Sequence, residues 1–295
     1  TAYEIGTGDW SSDVCSSDLI KIDENTTDFS MLYTVPMDSG PNLARARINK
    51  DNTAEHNGDM VEGIPAPSIG LNHPEYGDVF AKDTYFRVFA ETMQTSVYDP
   101  DSQKFSNISQ HFMSFKNKAL DWFGGDKCGW VSNAEREKLR ASDPIAYATA
   151  SKAKLSRNLF GLIRMDKPVA ASGEKVEIDE VPFRIKLGPS NFFEIGKLLP
   201  SIKKQYQMEP FNCDIKIGYE LKKAGSNKYF VLKYTPMVNE RRALTDVTRG
   251  YLQDFADLIT MENEQVADKM RENMVPSQVK TDLDVGATID DEIPF

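Results

Sequence analysis

The chain has 295 residues, a formal net charge of −10 and 40% apolar side chains, enough for one large domain or two ordinary ones around a real core. No apolar run is long enough for a membrane span and no signal-peptide core stands out, so the expectation is a cytoplasmic protein with no membrane role. Cys15, Cys128 and Cys213 are scattered, which argues against a disulfide framework and a CxxC zinc knuckle.

The acidic balance is uneven. Residues 151–250 carry 19 Lys/Arg against 11 Asp/Glu, whereas 254–295 carry eleven acids against Lys269, Arg271 and Lys280. A basic body with an acidic tail is one asymmetry expected of a nucleic-acid binder with an interaction tail.

Residues 1–19, TAYEIGTGDWSSDVCSSDL, form a Ser/Asp/Gly-rich stretch without periodicity. They resemble the translated adapter read-through found in some metagenomic gene models, and are set aside as a non-native leader. Thr26–Met37 is rich in β-formers and reads as a strand, and Asp38–Pro74, dense in Gly, Pro, Asn and Asp, as mostly loop. Lys82–Ala90 reads as a second strand. The apolar spacing of Ile108–Phe123 predicts a helix ended by Gly124-Gly125, and Ser132 with Glu135 predicts a capping box for a short helix to Ala141.

The clearest patterning lies in 155–237. Asn158–Met165 reads as a strand, Lys167–Glu180 as a polar connection, and Val181–Leu187 as an alternating strand. Ser190 is placed to cap a helix Asn191–Tyr206, which Pro200 would end early. Asp214–Leu221 and Lys228–Tyr234 alternate on either side of a turn at 224–227, which predicts a hairpin. That order suits a partly open five-stranded barrel if another strand comes from elsewhere. Ala243–Asn273 reads as a long helix, and 275–295 as a disordered acidic tail. The expected class is α+β: a body over 20–237 with its core mainly in 155–237, a C-terminal helix within 238–274, then the tail.

The last six residues, Asp290, Asp291, Glu292, Ile293, Pro294 and Phe295, join an acidic run to an apolar end at the chain's last residue. Ile293 and Phe295 suit an apolar pocket, Pro294 pre-sets the backbone, the α-carboxylate suits an Arg, and the acids suit a basic rim. DDEIPF closely resembles the C-terminal tip of bacterial single-stranded DNA-binding proteins, with Glu292 a mild departure. The order from strand 158–165 to hairpin 214–234 is similar to the OB-fold core of large-phage single-stranded DNA-binding proteins. That family often carries a zinc ribbon, but His56, His73, His111 and Cys128 lack paired spacing, so no metal is expected.

The resemblance implies binding of single-stranded DNA without sequence specificity in replication, recombination and repair, with partner proteins recruited by residues 290–295. Such binding needs cations for phosphates and aromatic faces for bases. The strand patterns nominate Arg157, Arg164, Arg184, Lys186, Lys216, Lys222, Lys223, Lys228 and Lys233 for phosphates, and Tyr219, Tyr229 and Tyr234 for stacking. The histidines form no HExxH, and no phosphate-binding glycine motif occurs, so no catalytic residue and no cofactor is expected. Two alternatives stay open: a replisome adaptor that binds no DNA, and a metal-dependent nuclease.

Overall fold

The computed structural model describes residues 43–224 and 227–274. The leader 1–19, the expected strand Thr26–Met37 and the tail 275–295 with its tip lie outside the described residues. Within them the chain is mixed α+β, with one large sheet, a separate hairpin and four α-helices.

Residues 43–92, 113–115 and 158–260 form the first of two compact units. Its sheet is assembled from both ends of the sequence. The hydrogen-bonded order is β12 (Asn227–Arg241), β11 (Cys213–Ala224), β6 (Asp83–Asp99), β8 (Ala153–Asp166), β10 (Ile178–Leu187), β1 (Ala44–Asn49), β4 (Ser68–His73), β5 (Gly77–Ala81) and β9 (Val169–Ala170). β1 runs parallel to β10 with Arg45 opposite Arg184, and antiparallel to β4. Among the described residues β12 and β9 remain the two ends of this path and no closed barrel forms.

Beside the strands of 155–237, the sheet takes β1, β4, β5 and β6 from before residue 100. One expectation is corrected: Asp38–Pro74 is not mostly loop. Alternation of buried and exposed residues in ARARIN makes β1, and a second hairpin joins β2 (Thr53–His56) to β3 (Asp59–Glu62). Asn57 and Gly58 close that hairpin at φ 55° and 89°, the positive values a two-residue turn requires.

One face of the large sheet makes the core. Ile69, Leu71, Phe86, Val88, Leu159, Ile163, Phe183, Ile185, Ile215, Ile217 and Leu232 are all buried in it. Each such side chain contributes roughly 1.5–3 kcal/mol relative to exposure. Helix α3 (Pro189–Tyr206) closes this face with Ile195, Leu199 and Ile202. Its N-cap is Gly188 with Pro189 in the first turn, so Ser190 does not cap it as expected. Pro200 is accommodated within the helix, which runs on to Tyr206 and ends where Gln207 turns left-handed. The side-chain oxygen of Asn191 accepts from the Leu232 amide at 2.7 Å, satisfying a donor on the edge strand β12. β6 and β8 approach closely at Gly161, where a Cβ would drive into the Arg87 carbonyl.

Residues 93–112, 116–157 and 261–274 belong to the second unit. It holds the end of β6 paired with β7 (Lys104–Ile108), α1 (Asn133–Ser142), α2 (Pro144–Lys152) and the last turns of α4 (Asp246–Met274). The capping box of α1 forms as expected, Ser132 accepting from the Glu135 amide. The expected helix over Ile108–Phe123 does not form. That segment is irregular: Ser109, Gln110 and Phe112 donate to the carbonyls of Thr95, Leu120 and Met93, while Asp126 accepts from Ala119 and Asp121 from Phe123, Gly125 and Cys128. The loop is fastened to α4 by His111, whose Nε2 lies 2.6 Å from Glu262 and whose amide donates to Asn263.

Candidate nucleic-acid interface

Alternation along each strand assigns side chains to the core face or to the opposite, outer face. The ladder pairs Ile215 with Phe86 and Ile217 with Thr84, all core-facing, so Lys216 and Tyr85, which pair between them, face outward. Across the hairpin, Gly218 pairs with Lys233 and Lys222 with Tyr229, on the same outer face. β8 adds Arg164, whose guanidinium carbon stands 3.9 Å from the centroid of the Tyr85 ring. The outer face therefore gathers Arg164, Lys216, Lys222, Lys233 and Tyr229 of the expected residues.

Arg184 and Lys186 point outward from β10, Arg184 lying 5.4 Å over the Phe160 ring and Lys186 exposed. Nearby the face is covered, because Phe255 of α4 packs on Phe89 and Phe160 at ring distances of 5.9 and 6.2 Å.

Five other expected residues are not brought into this group. Tyr219 and Tyr234 pack against the core. Burial pushes the Tyr219 phenol well above its usual range. Lys223, exposed, has the parity of Ile215 and Ile217, not that of Lys222, and Lys228 stands opposite it in the ladder. Arg157 falls in the second unit and shares its parity on β8 with buried Leu159 and Ile163. Core demand explains the two tyrosines: strands that bury one face recruit their large side chains to it.

The sequence reading missed Tyr85, Arg87 and Arg242. The signal was available in KDTYFRVFA, where Tyr85 and Arg87 share a parity opposite Phe86 and Val88. Arg87 is almost wholly buried and donates to the carbonyls of Phe211 (2.6 Å) and Ala243 (2.8 Å) and to Glu180 (3.2 Å). Burial lowers its pKa, while Glu180 opposes that. Arg242 shares Glu180 at 2.8 Å and lies 3.6 Å from Asp214, which also lies 3.6 Å from Arg164. With Tyr85, these residues line a shallow cleft on the outer face.

The outer cations are held by carboxylates. Lys216 lies 3.1 Å from Asp83, Arg164 2.9 Å from Asp166, and Lys233 and Lys222 2.8 and 3.9 Å from Glu220. The Asp83 hydrogen bond raises the Lys216 pKa, and the Lys233 hydrogen bond lowers that of Glu220. Such exposed pairs are weak, about 0–1 kcal/mol each, so they orient the side chains without committing them. A phosphate can displace a carboxylate there at small cost.

Among the described residues, no three His, Cys, Asp or Glu side chains stand close enough together to hold a metal ion, and no helix is long and apolar enough to cross a membrane. No family model, curated protein or solved structure matches the chain.

Proposed function

We propose that this protein binds single-stranded DNA without sequence specificity, in replication, recombination and repair, and recruits partner proteins through the acidic tip Asp290–Phe295. The observation that carries the DNA-binding part is the outer face of β6, β8, β11 and β12. There Arg164, Lys216, Lys222 and Lys233 surround the rings of Tyr85 and Tyr229. Sequence-tolerant strand binding uses cations along a backbone track with aromatic faces for bases, each stacked base being worth about 1–3 kcal/mol. The recruiting role rests on DDEIPF alone, an acidic and apolar end suited to a basic-rimmed pocket.

The OB-like reading of the core belongs to this proposal as well. Its support is the run of five adjacent strands β6, β8, β10, β1 and β4, the strand number of a partly open OB barrel. A cytoplasmic setting follows from the same reading.

The competing reading is an adaptor that carries the tip but binds no DNA. What favours it is that Arg164, Lys216, Lys222 and Lys233 each have a carboxylate within 4 Å. Photo-crosslinking to a dT oligomer bearing 5-iodouracil separates the two. Adducts mapping to Tyr85 or Tyr229 are expected. Adducts confined to other parts of the chain, or none, would favour the adaptor.

A further inference from the structure

Around the edge of β12, on the start of α3, the first unit displays a group of phenyl rings that its own core does not use. Phe192 is 2% exposed, yet the two rings packed on it, Phe193 and Phe115, are 62% and 49% exposed. Their centroids lie 5.2 and 6.5 Å from that of Phe192. Burying Phe192 needs only the inner edges of its neighbours, so their remaining area is presented to solvent. A cluster of exposed phenyls on one firm base marks a contact surface more often than a core defect.

Two features set the occupant's chemistry. Lys197 follows Phe193 by one helical turn and is exposed on the same face of α3, with exposed Lys204 two turns beyond it. Rings beside a row of ammonium groups fit a chain of bases and phosphates better than an apolar protein surface. The patch also adjoins the β12 edge: Asn191, two residues before Phe193, accepts from the Leu232 amide, and Lys233 follows Leu232 on the outer face.

We infer that a bound single strand continues past Lys233, crosses the β12 edge, and stacks bases on Phe193 and Phe115 with phosphates near Lys197. This rests on the DNA-binding reading above and extends its track from the sheet to a helix. Phe193 and Phe115 are then binding residues that no strand pattern nominates, and Glu194 opposes the strand at the crossing.

The test is a titration of the full chain with dT oligomers of graded length. Phe193→Ala and Phe115→Ala are expected to weaken binding of long oligomers about tenfold, the scale of one lost stack, while leaving the shortest bound oligomer unaffected. Phe193→Trp keeps the affinity, and its added fluorescence is quenched as long oligomers bind. Glu194→Gln tightens long oligomers only. Parent-like binding of every length by both alanine variants would overturn the extension while leaving DNA binding by the sheet intact. A concentration-dependent dimer, seen by light scattering and dissolved by the same substitutions, would overturn it in favour of a second copy of the chain. Absence of binding by the parent would remove the underlying reading and the extension together.

Discussion

The guanidinium of Arg164 and the ring of Tyr85 form a stacked pair 3.9 Å apart, tied down at both ends. Asp166 accepts from the Tyr85 hydroxyl at 3.1 Å and from Arg164 at 2.9 Å. Lys216 adds a second cation 5.7 Å from the same ring. Two strands thus hold a cation and an aromatic in fixed relation before any ligand arrives. Preorganisation of this kind spares the ordering cost of binding.

Tyr85→Ala is expected to weaken single-stranded DNA binding by about 1–3 kcal/mol, the value of one stacked base, with little change in melting temperature. Tyr85→Phe keeps the ring and is expected to retain most of the affinity. Equilibrium titration with a labelled dT oligomer reads both. Undiminished affinity in Tyr85→Ala would remove this ring from the interface.

Glu220 holds both Lys222 and Lys233. Replacing it with Gln frees two ammonium groups for phosphate. Affinity is expected to rise several-fold and to fall more steeply with salt, since each extra phosphate contact releases a counterion. Weaker binding by Glu220→Gln would mean that the pair positions the hairpin rather than competing with DNA.

Arg87 is a structural cation, not a ligand group. Arg87→Met leaves the Phe211 carbonyl without its donor and removes one partner of Glu180. The expected loss is about 3–5 kcal/mol of stability in urea, in the range for breaking a buried charged network. Arg87→Lys should recover little, because one ammonium cannot reproduce the guanidinium fork. A melt like the parent's would contradict this role.

Burial pushes the Cys213 thiol from its ordinary 9.0 up to about 11. The neutral thiol is the form favoured in the fold, so this contribution to stability is complete below pH 9 and fades as pH rises towards 11. Urea midpoints at pH about 8 and about 10.5 should drop further for the parent than for Cys213→Ala. Equal drops would show that the thiol titrates alike in the folded and unfolded chain, with no shift from burial.

Elements whose own pattern dominates were readable from sequence. β8, β10, the β11–β12 hairpin, α3 and α4 all lie close to where periodicity placed them, and the Ser132 capping box is local chemistry in four residues. β1 was hidden because the Gly, Pro and Asn around it belong to tight turns, and the Asn57-Gly58 hairpin signal was read as loop composition. Ile108–Phe123 misled for the opposite reason. Its aromatics fall at helical spacing, but its amides find their partners elsewhere, in the carbonyls of Met93, Thr95 and Leu120 and in Asp121 and Asp126.

The candidate interface was legible in half-measure. Alternation alone put Lys216 opposite Ile217, and Tyr229 with Lys233 opposite Leu232, as the ladder has them. It could not say which face of a strand is the core. Register against β6 decides that, and sends Tyr219 and Tyr234 inward while bringing Tyr85 out beside Lys216. The pairing of Lys216 with Asp83, of Lys233 with Glu220 and of Arg164 with Asp214, each across two strands, is likewise a product of topology.

The most direct test of the central claim is fluorescence anisotropy of a labelled poly-dT oligomer with the intact chain at two salt concentrations, with duplex DNA as competitor. Strand binding by the outer face is expected to prefer the single strand and to weaken steeply with salt, in proportion to the phosphates neutralised there. Salt-independent binding, binding displaced equally by duplex, or no binding with residues 290–295 either present or deleted, would contradict it.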